Sequence, residues 1–203
     1  QRYSVSGSLP EKKDDISGRW RTTMNAELDA IRTVFGQMDG KPYEEAARRL
    51  SNADEVFVTG FQTVRGLAED AARRLSLARS GVRYLSTHDG MLAEWISSSD
   101  REKTCLLMID VVPYAGEGQS LAQLARQQGR SVVLVTDEYC HWANEVAHAT
   151  LFAPSSTGLF LESTLGLNAA LALLIDAVAR SSPDNAQARL REWKGMTRQL
   201  KLF

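Results

Sequence analysis

Long apolar runs are missing from this sequence of 203 residues. None approaches the roughly 20 residues that a helix needs to span a bilayer, and no secretory signal is recognisable. The net charge is −1, so the chain as a whole has no basic footprint for nucleic acid. These absences predict a cytoplasmic protein that makes no membrane contact and does not bind DNA through this part of its chain.

Cysteine is scarce as well. Cys105 and Cys140 lie in or beside predicted strands, and we expect both to be free thiols because disulfides are rare in the cytoplasm. His141 stands beside Cys140, but no second pair of ligands follows at metal spacing, so no metal site is predicted. A Walker-type loop and a full dinucleotide fingerprint are also missing, and no cofactor is predicted.

The composition does provide for an ordinary core. Hydrophobic residues make up 43% of the chain and charged residues 24%, and the length suits one α/β domain. Residues 1–14 are polar and are predicted to form a linker or arm, and residues 15–203 are predicted to form the domain. Because the chain begins with Gln1 and not Met, we expect a fragment or a processed form, which leaves a missing N-terminal domain open.

Short apolar segments alternate with segments of helical spacing along the chain. This alternation predicts an α/β fold, a three-layer αβα sandwich around a five-stranded parallel sheet of flavodoxin-like order 2-1-3-4-5. Extra helices are predicted at both ends. The strands are expected at 56–58, 82–85, 104–109, 131–135 and 149–153, and the helices at 15–38, 42–50, 64–75, 89–96, 116–128, 158–180 and 186–200.

The first long helix, 15–38, carries one apolar stripe. Its apolar residues step by three or four positions from Ile16 through Trp20 and Met24 to Met38. A stripe of this length has to be covered. The sequence leaves two possibilities open, packing within its own domain and packing on a second subunit.

Three segments together resemble a known family. They read VFVTGFQTVRGLAEDAARRL, VVPYAGEGQSLAQLARQQGRSVVLVTD and ATLFAPSSTGLFLESTLGLNAALALLIDAV. In their succession they resemble the sugar isomerase (SIS) domain, and more narrowly the SIS domain of RpiR/MurR-type bacterial transcriptional regulators. The resemblance extends over residues 15–203. It implies a domain that binds a small-molecule effector, forms homodimers and follows a helix-turn-helix domain, which is the only part that would contact DNA.

SIS domains hold a phosphosugar with hydroxyls and backbone amides, and this sequence departs from that pattern. Its first loop, 60–65, has Val64 where the family places a serine, although Thr63 is adjacent. Its second loop, 110–115, has lost every hydroxyl of the family motif and begins with Asp110. Because a carboxylate repels a phosphate, we expect a neutral or cationic small molecule, sugar-like or another polar metabolite, in place of a standard phosphosugar.

Several candidate ligand contacts keep an alternative role. Arg65 faces either the ligand or Glu69, which is four residues further along the helix. Asp110 either accepts hydrogen bonds from the ligand or caps the next turn. The hydroxyls after the fifth strand either bind the ligand or cap a helix. The predicted ligand-binding residues are Gly60, Phe61, Gln62, Thr63, Arg65, His88, Asp110, Tyr114, Ser155, Ser156, Thr157 and Glu162.

The resemblance also admits an enzyme. An aldose–ketose isomerase of sugar phosphates needs an acid–base pair, for which His88 and Glu162 are the candidates. Because the phosphate cradle is incomplete, we predict a sensor and assign no catalytic residue. The isomerase is the alternative.

Overall fold

The computed structural model of the chain describes residues 16–88, 90, 92–97 and 100–202. The predicted linker, 1–14, lies outside these residues, and so does Asp89, where the fourth helix was expected to begin. Within the described part, no single helix is long and apolar enough to cross a membrane. Only the last two helices taken together reach that length and composition, and they are bent by 108°.

The sheet has five parallel strands in the order β2-β1-β3-β4-β5, as predicted. Its strands are apolar because helices cover both faces of the sheet. All seven residues of the central strand β3 are buried. The strands are β1 Glu55–Gly60, β2 Val82–Tyr84, β3 Thr104–Asp110, β4 Ser131–Thr136 and β5 Ala149–Phe152.

Eight helices surround the sheet in the described part of the chain. Helices α2, α3 and α7 pack on one face and α4, α5 and α6 on the other, so the apolar core has two halves. A single 3-10 turn, Gln62–Val64, precedes α3. The helices are α1 Ile16–Phe35, α2 Lys41–Asn52, α3 Arg65–Ala78, α4 Leu92–Ser97, α5 Gly116–Gln127, α6 Ala143–Val146, α7 Leu165–Ser181 and α8 Pro183–Gln199.

The predicted start of α7 at Gly158 is wrong, because the helix begins at Leu165. Gly158 has a φ of +82°, which does not belong to a right-handed helix. The backbone N–H of Ser163 donates to the carbonyl of Ser155 over 2.8 Å, which closes a loop across these residues. Glu162 therefore lies in this loop and not in the first turns of the helix.

The apolar stripe of α1 does not face the core of its own domain. The helix buries Thr23, Glu27, Ala30 and Val34 instead. Among the large apolar residues that remain exposed are Trp20, Met24, Leu28 and Phe35. Of the two possibilities left open by the sequence, packing within the domain is therefore excluded for most of the stripe.

One buried cation was not foreseen. Arg130 is only 1% exposed, and its guanidinium lies 4.1 Å from the centre of the Trp95 ring. It donates to the hydroxyl of Thr104 over 2.8 Å and to the carbonyl of Trp95 over 2.7 Å. These partners replace the water that the charge loses on burial. Because Trp95 belongs to α4 and Thr104 to β3, Arg130 also connects α4 to the sheet.

Candidate functional site

A cleft of about 350 Å³ opens at the carboxyl ends of β1 and β2, beside the start of α5. In open α/β sheets this edge is where ligands bind, next to the point where the strand order reverses. Here the order reverses between β1 and β3. The cleft is lined by Thr59, Gly60, Phe61, Gln62, Arg65, Tyr84, Ser86, Thr87, His88 and Glu117.

The backbone at the end of β1 comes unusually close to α3. A Cβ atom on Gly60 would lie 2.8 Å from the Cβ of Ala68 and 3.0 Å from the carbonyl oxygen of Val64. Glycine is therefore required at this turn. Gln62 follows with a φ of +46°, a left-handed conformation that is uncommon outside glycine and is found often at ligand sites. The tight turn leaves the exposed Gln62 at the edge of the cleft.

Five of the predicted ligand contacts line this cleft, namely Gly60, Phe61, Gln62, Arg65 and His88. Thr63 is exposed beside them but is not part of the lining. Sequence reasoning missed the other lining residues. A polar run after β2, Ser86-Thr87-His88, carried a signal, because polar residues at the carboxyl end of a parallel strand are expected to face such a cleft.

Two side-chain contacts occupy polar groups of the cleft wall. The Nε atom of Arg65 lies 3.4 Å from Oε1 of Glu69, the helical neighbour that the sequence indicated. The Nε2 atom of His88 lies 3.3 Å from Oε1 of Glu117, so this pair joins the β2 loop to the start of α5. The carboxylate on the cleft wall is therefore that of Glu117. The sequence had predicted a carboxylate at the site from Asp110.

Asp110 itself is buried and does not line the cleft. Its Oδ2 atom has no hydrogen-bond partner among the described residues and packs against Gly118, where a Cβ would lie only 2.5 Å from it. Burial raises the pKa of Asp110 to about 7, although the N–H groups of Ala115 and Val111 act in the opposite direction. The charge on Asp137 raises this pKa too. At neutral pH the side chain is therefore partly protonated.

A second carboxylate, Asp137, organises the loop that follows β3. It is fully buried and accepts hydrogen bonds from the N–H of Val112 over 2.7 Å and from the N–H of Tyr139 over 3.0 Å. The Tyr114 hydroxyl donates to it as well. The ring of Tyr114 also meets the Trp142 ring edge-on, with centroids 5.9 Å apart. Tyr114 is thus part of a buried network and does not line the cleft.

The hydroxyls after β5 lie on a different part of the molecule. Thr157 donates to Oε1 of Glu27 over 2.7 Å, and Ser163 donates to Oε2 of Glu27 over 2.8 Å. The hydroxyl of Ser155 is buried and meets no hydrogen-bond partner in the part of the chain that the structure describes, and Ser156 is exposed. None of these predicted contacts lines the cleft; two of these hydroxyls tie the loop to α1. Glu162 is exposed in a separate hollow beside Glu27.

Both cysteines are free and buried. Burial raises the pKa of Cys105 to about 12 and that of Cys140 to about 11, so neither thiol is a nucleophile at neutral pH. Within the described ranges, no group of three or more His, Cys, Asp and Glu side chains is placed to hold a metal ion.

Solved structures show which fold this is. The sugar isomerase domain of an RpiR transcription factor from Sphaerobacter thermophilus superposes with a TM-score of 0.74 at 21% identity, covering 86% of this chain and 97% of that one. NanR of Vibrio vulnificus, in complex with ManNAc-6P, gives 0.72 at 17% identity, covering 89% and 69%. A Methanococcus jannaschii protein whose structure infers 3-hexulose-6-phosphate isomerase activity gives 0.58 at 15% identity, covering 86% and 92%.

Comparisons of sequence alone add less. No family model matches the chain. A 3-dehydroquinate dehydratase from Phenylobacterium zucineum is 35% identical over 104 residues, which are 50% of this chain and just under two thirds (66%) of that enzyme. The superpositions confirm the sequence-based resemblance at the level of the fold. The chain has the SIS fold, as RpiR-type regulators do.

Proposed function

We propose that this chain is the effector-sensing and dimerising domain of an RpiR-type transcription regulator, acting in the cytoplasm. Its effector is a small polar molecule held in the cleft between β1, β2 and α5. The observation that carries the proposal is the cleft itself, which lies at the ligand-binding edge of a fold shared with two regulators. DNA would be bound by a helix-turn-helix domain outside this chain.

The chemistry of the cleft favours an unphosphorylated ligand. A phosphate is favoured by several cations and by free backbone N–H groups, whereas the described lining of the cleft sets Arg65 against the carboxylate of Glu117, and the N–H of Gly118 donates to the carbonyl of Ala115 over 2.9 Å. Glu117 would repel an anion. The side chains of Gln62, Ser86 and Thr87 provide neutral hydrogen-bonding groups at the same place. We therefore propose a sugar or an amino sugar that lacks a phosphate.

The route from effector to DNA would run through α1. Both oxygens of Glu27 on this helix accept hydrogen bonds from the loop that follows β5, so α1 and the carboxyl edge of the sheet are held together. A ligand that shifts this edge would change the position of α1 and, through it, the spacing of two upstream DNA-binding domains.

The pair that the sequence offered for the isomerase alternative, His88 and Glu162, is not brought together in one hollow. His88 lines the cleft at the ends of β1 and β2, whereas Glu162 stands beside a hollow formed by α1 and the loop after β5. The two hollows share no lining residue. An acid and a base must reach the same substrate atoms to exchange its protons.

A thermal-shift screen tests the proposed function. Sugars and amino sugars are compared with their 6-phosphates, and 3-dehydroquinate is included because of the partial match to its dehydratase. We expect unphosphorylated compounds to raise the melting temperature more, and Glu117→Gln to weaken the effect of amino sugars. If the 6-phosphates stabilise more, the proposed ligand class is wrong. If sugar phosphates are turned over, the enzyme is the correct function.

A further inference from the structure

Helix α1 turns polar side chains toward the domain and large apolar side chains toward solvent, the opposite of an ordinary surface helix. Thr23 and Glu27 face inward, while Trp20, Met24 and Leu28 point outward and are 41–56% exposed. Along α1, Met24, Leu28, Ile31 and Phe35 step by four, three and four residues, which is the spacing of a coiled-coil seam. A seam of this kind fits a second helix with the same spacing.

The loop between β5 and α7 extends this apolar surface. It presents Leu159, Phe160 and Leu161 to solvent, followed by Leu165 at the start of α7, all 41–57% exposed. The loop lies against α1 because Glu27 lines the same hollow as these residues and binds Thr157 and Ser163. We call the combined surface the α1 face, defined by Trp20, Met24, Leu28, Leu159, Phe160, Leu161 and Leu165.

We propose that a second copy of this chain covers the α1 face, and that Glu27 controls the affinity by holding the loop half of the face against the helix half. The proposal rests on the dimerising role proposed above and names the surface and the residue responsible. Glu27 does not touch the partner. It is a positioning residue, and its two hydroxyl partners, Thr157 and Ser163, fix the position of the loop relative to α1.

The area of the α1 face suits this occupant. Seven large apolar side chains that are each about half exposed offer roughly 500–700 Å² per copy, or about 1,000–1,400 Å² for a symmetric pair, near the lower limit for a specific interface. A two-fold interface uses the same patch on both copies, so a second copy brings an identical seam and loop. An apolar patch of this size is uncommon on a monomer.

Labelling of engineered cysteines tests the surface. Met24→Cys introduces a thiol within the α1 face, and Thr33→Cys introduces one at an exposed position outside it. Both native thiols are buried and form a silent background. We expect maleimide to modify Met24→Cys more slowly as protein concentration rises and the dimer forms, while the rate for Thr33→Cys stays constant. Equal rates at all concentrations in a dimeric protein would overturn the proposed surface.

A second set of variants tests the role of Glu27. Thr157→Val combined with Ser163→Ala removes both donors to Glu27 without touching the outward side of the α1 face. Thr22→Val is the matched control, since its hydroxyl donates to the Gly18 carbonyl on the exposed side of α1. Two lost hydrogen bonds should raise the dimer dissociation constant about tenfold, measured by analytical ultracentrifugation, and the control should leave it unchanged.

The outcomes separate this inference from the proposed function. A dimer of unchanged affinity in the Thr157→Val/Ser163→Ala variant, with unchanged circular dichroism, would overturn the role of Glu27. A monomer at every concentration that is nevertheless stabilised by sugars would overturn the interface and leave effector sensing intact. A dimer that no sugar stabilises would overturn effector sensing and leave the interface intact.

Discussion

Two regions at the same edge of the sheet use their polar side chains in opposite ways. At the ends of β1 and β2, the side chains of Arg65, His88 and Glu117 are 46–69% exposed. The contacts of Arg65 with Glu69 and of His88 with Glu117 measure 3.4 and 3.3 Å. At the ends of β3 and β4, Asp110 and Asp137 are buried among backbone and side-chain donors. The first region is an open cleft, and the second is part of the core.

The difference shows where this edge is available for a ligand. Exposed, weakly paired groups give up little when they bind something else. Asp137 already accepts hydrogen bonds from three donors, and a ligand at that place would first have to break this network. We therefore expect changes at β3 and β4 to affect folding, and changes at β1 and β2 to affect binding.

The largest effect is expected from Asp137→Ala. It removes the acceptor of three donors, the buried N–H of Val112, the partly buried hydroxyl of Tyr114 and the partly buried N–H of Tyr139. We expect a loss of about 3–5 kcal/mol in the free energy of unfolding, measured by urea denaturation. Tyr114→Phe removes one donor only and should cost far less. A loss below about 1 kcal/mol for Asp137→Ala would contradict the contrast.

The next effect is a pH dependence caused by Asp110. Because its pKa is about 7 in the folded protein against 3.8 ordinarily, the folded state binds more protons than the unfolded state between these values. Stability therefore falls as pH rises through this window, by about 2–3 kcal/mol between pH 5 and pH 8. Asp110→Asn should remove this part of the fall and be more stable than the parent at pH 8. Denaturation curves at both pH values measure this fall. If the free energy of unfolding falls by the same amount between pH 5 and pH 8 in the parent and in Asp110→Asn, the expectation is refuted.

A smaller effect is expected where the two regions meet. An alanine at Gly118 would place its Cβ 2.5 Å from Oδ2 of Asp110 and 3.2 Å from Cε2 of Phe61. We expect Gly118→Ala to lower the free energy of unfolding by about 1–3 kcal/mol through overpacking. Gly116→Ala in the same helix is the matched control, because nothing lies within 4 Å of its added Cβ. Equal melting temperatures for the two variants would contradict this expectation, since the side chains of Asp110 and Phe61 would then move aside without loss of stability.

The smallest effect on stability is expected in the cleft. Arg65→Gln and Glu117→Gln each remove one partner of an exposed pair. Both should change the free energy of unfolding by no more than about 0.5 kcal/mol, while altering the thermal shift produced by a bound sugar. A cleft variant as destabilising as Asp137→Ala would erase the distinction between the two regions.

Much of the fold could be predicted from local patterns. The five strands, their order and the helices between them follow from short apolar runs and helical spacing, and most boundaries agree within a few residues. The start of α7 could not be predicted, because the apolar residues at 159–161 continue the apolar run of the helix but are held in a loop by Ser155, Ser163 and Glu27. These contacts join residues that are far apart in the chain.

The candidate site was predicted only in part. Gly60, Phe61 and Gln62 were placed correctly in a cleft, because a glycine turn after a parallel strand must lie at the carboxyl edge of the sheet. The side chains that share this cleft from other elements, such as Glu117, could not be assigned. Whether any of these residues binds a ligand stays a prediction.

The sequence by itself determined the strand positions, the strand order and the location of the cleft, because side-chain periodicity and turn chemistry are local properties. Only the tertiary structure decided which side of each element is covered. It turned the polar side of α1 inward, buried Asp110 beside Gly118 and brought Glu117 to His88. The reason is physical: the environment of a side chain depends on neighbours that long-range packing brings together, and no local pattern contains them.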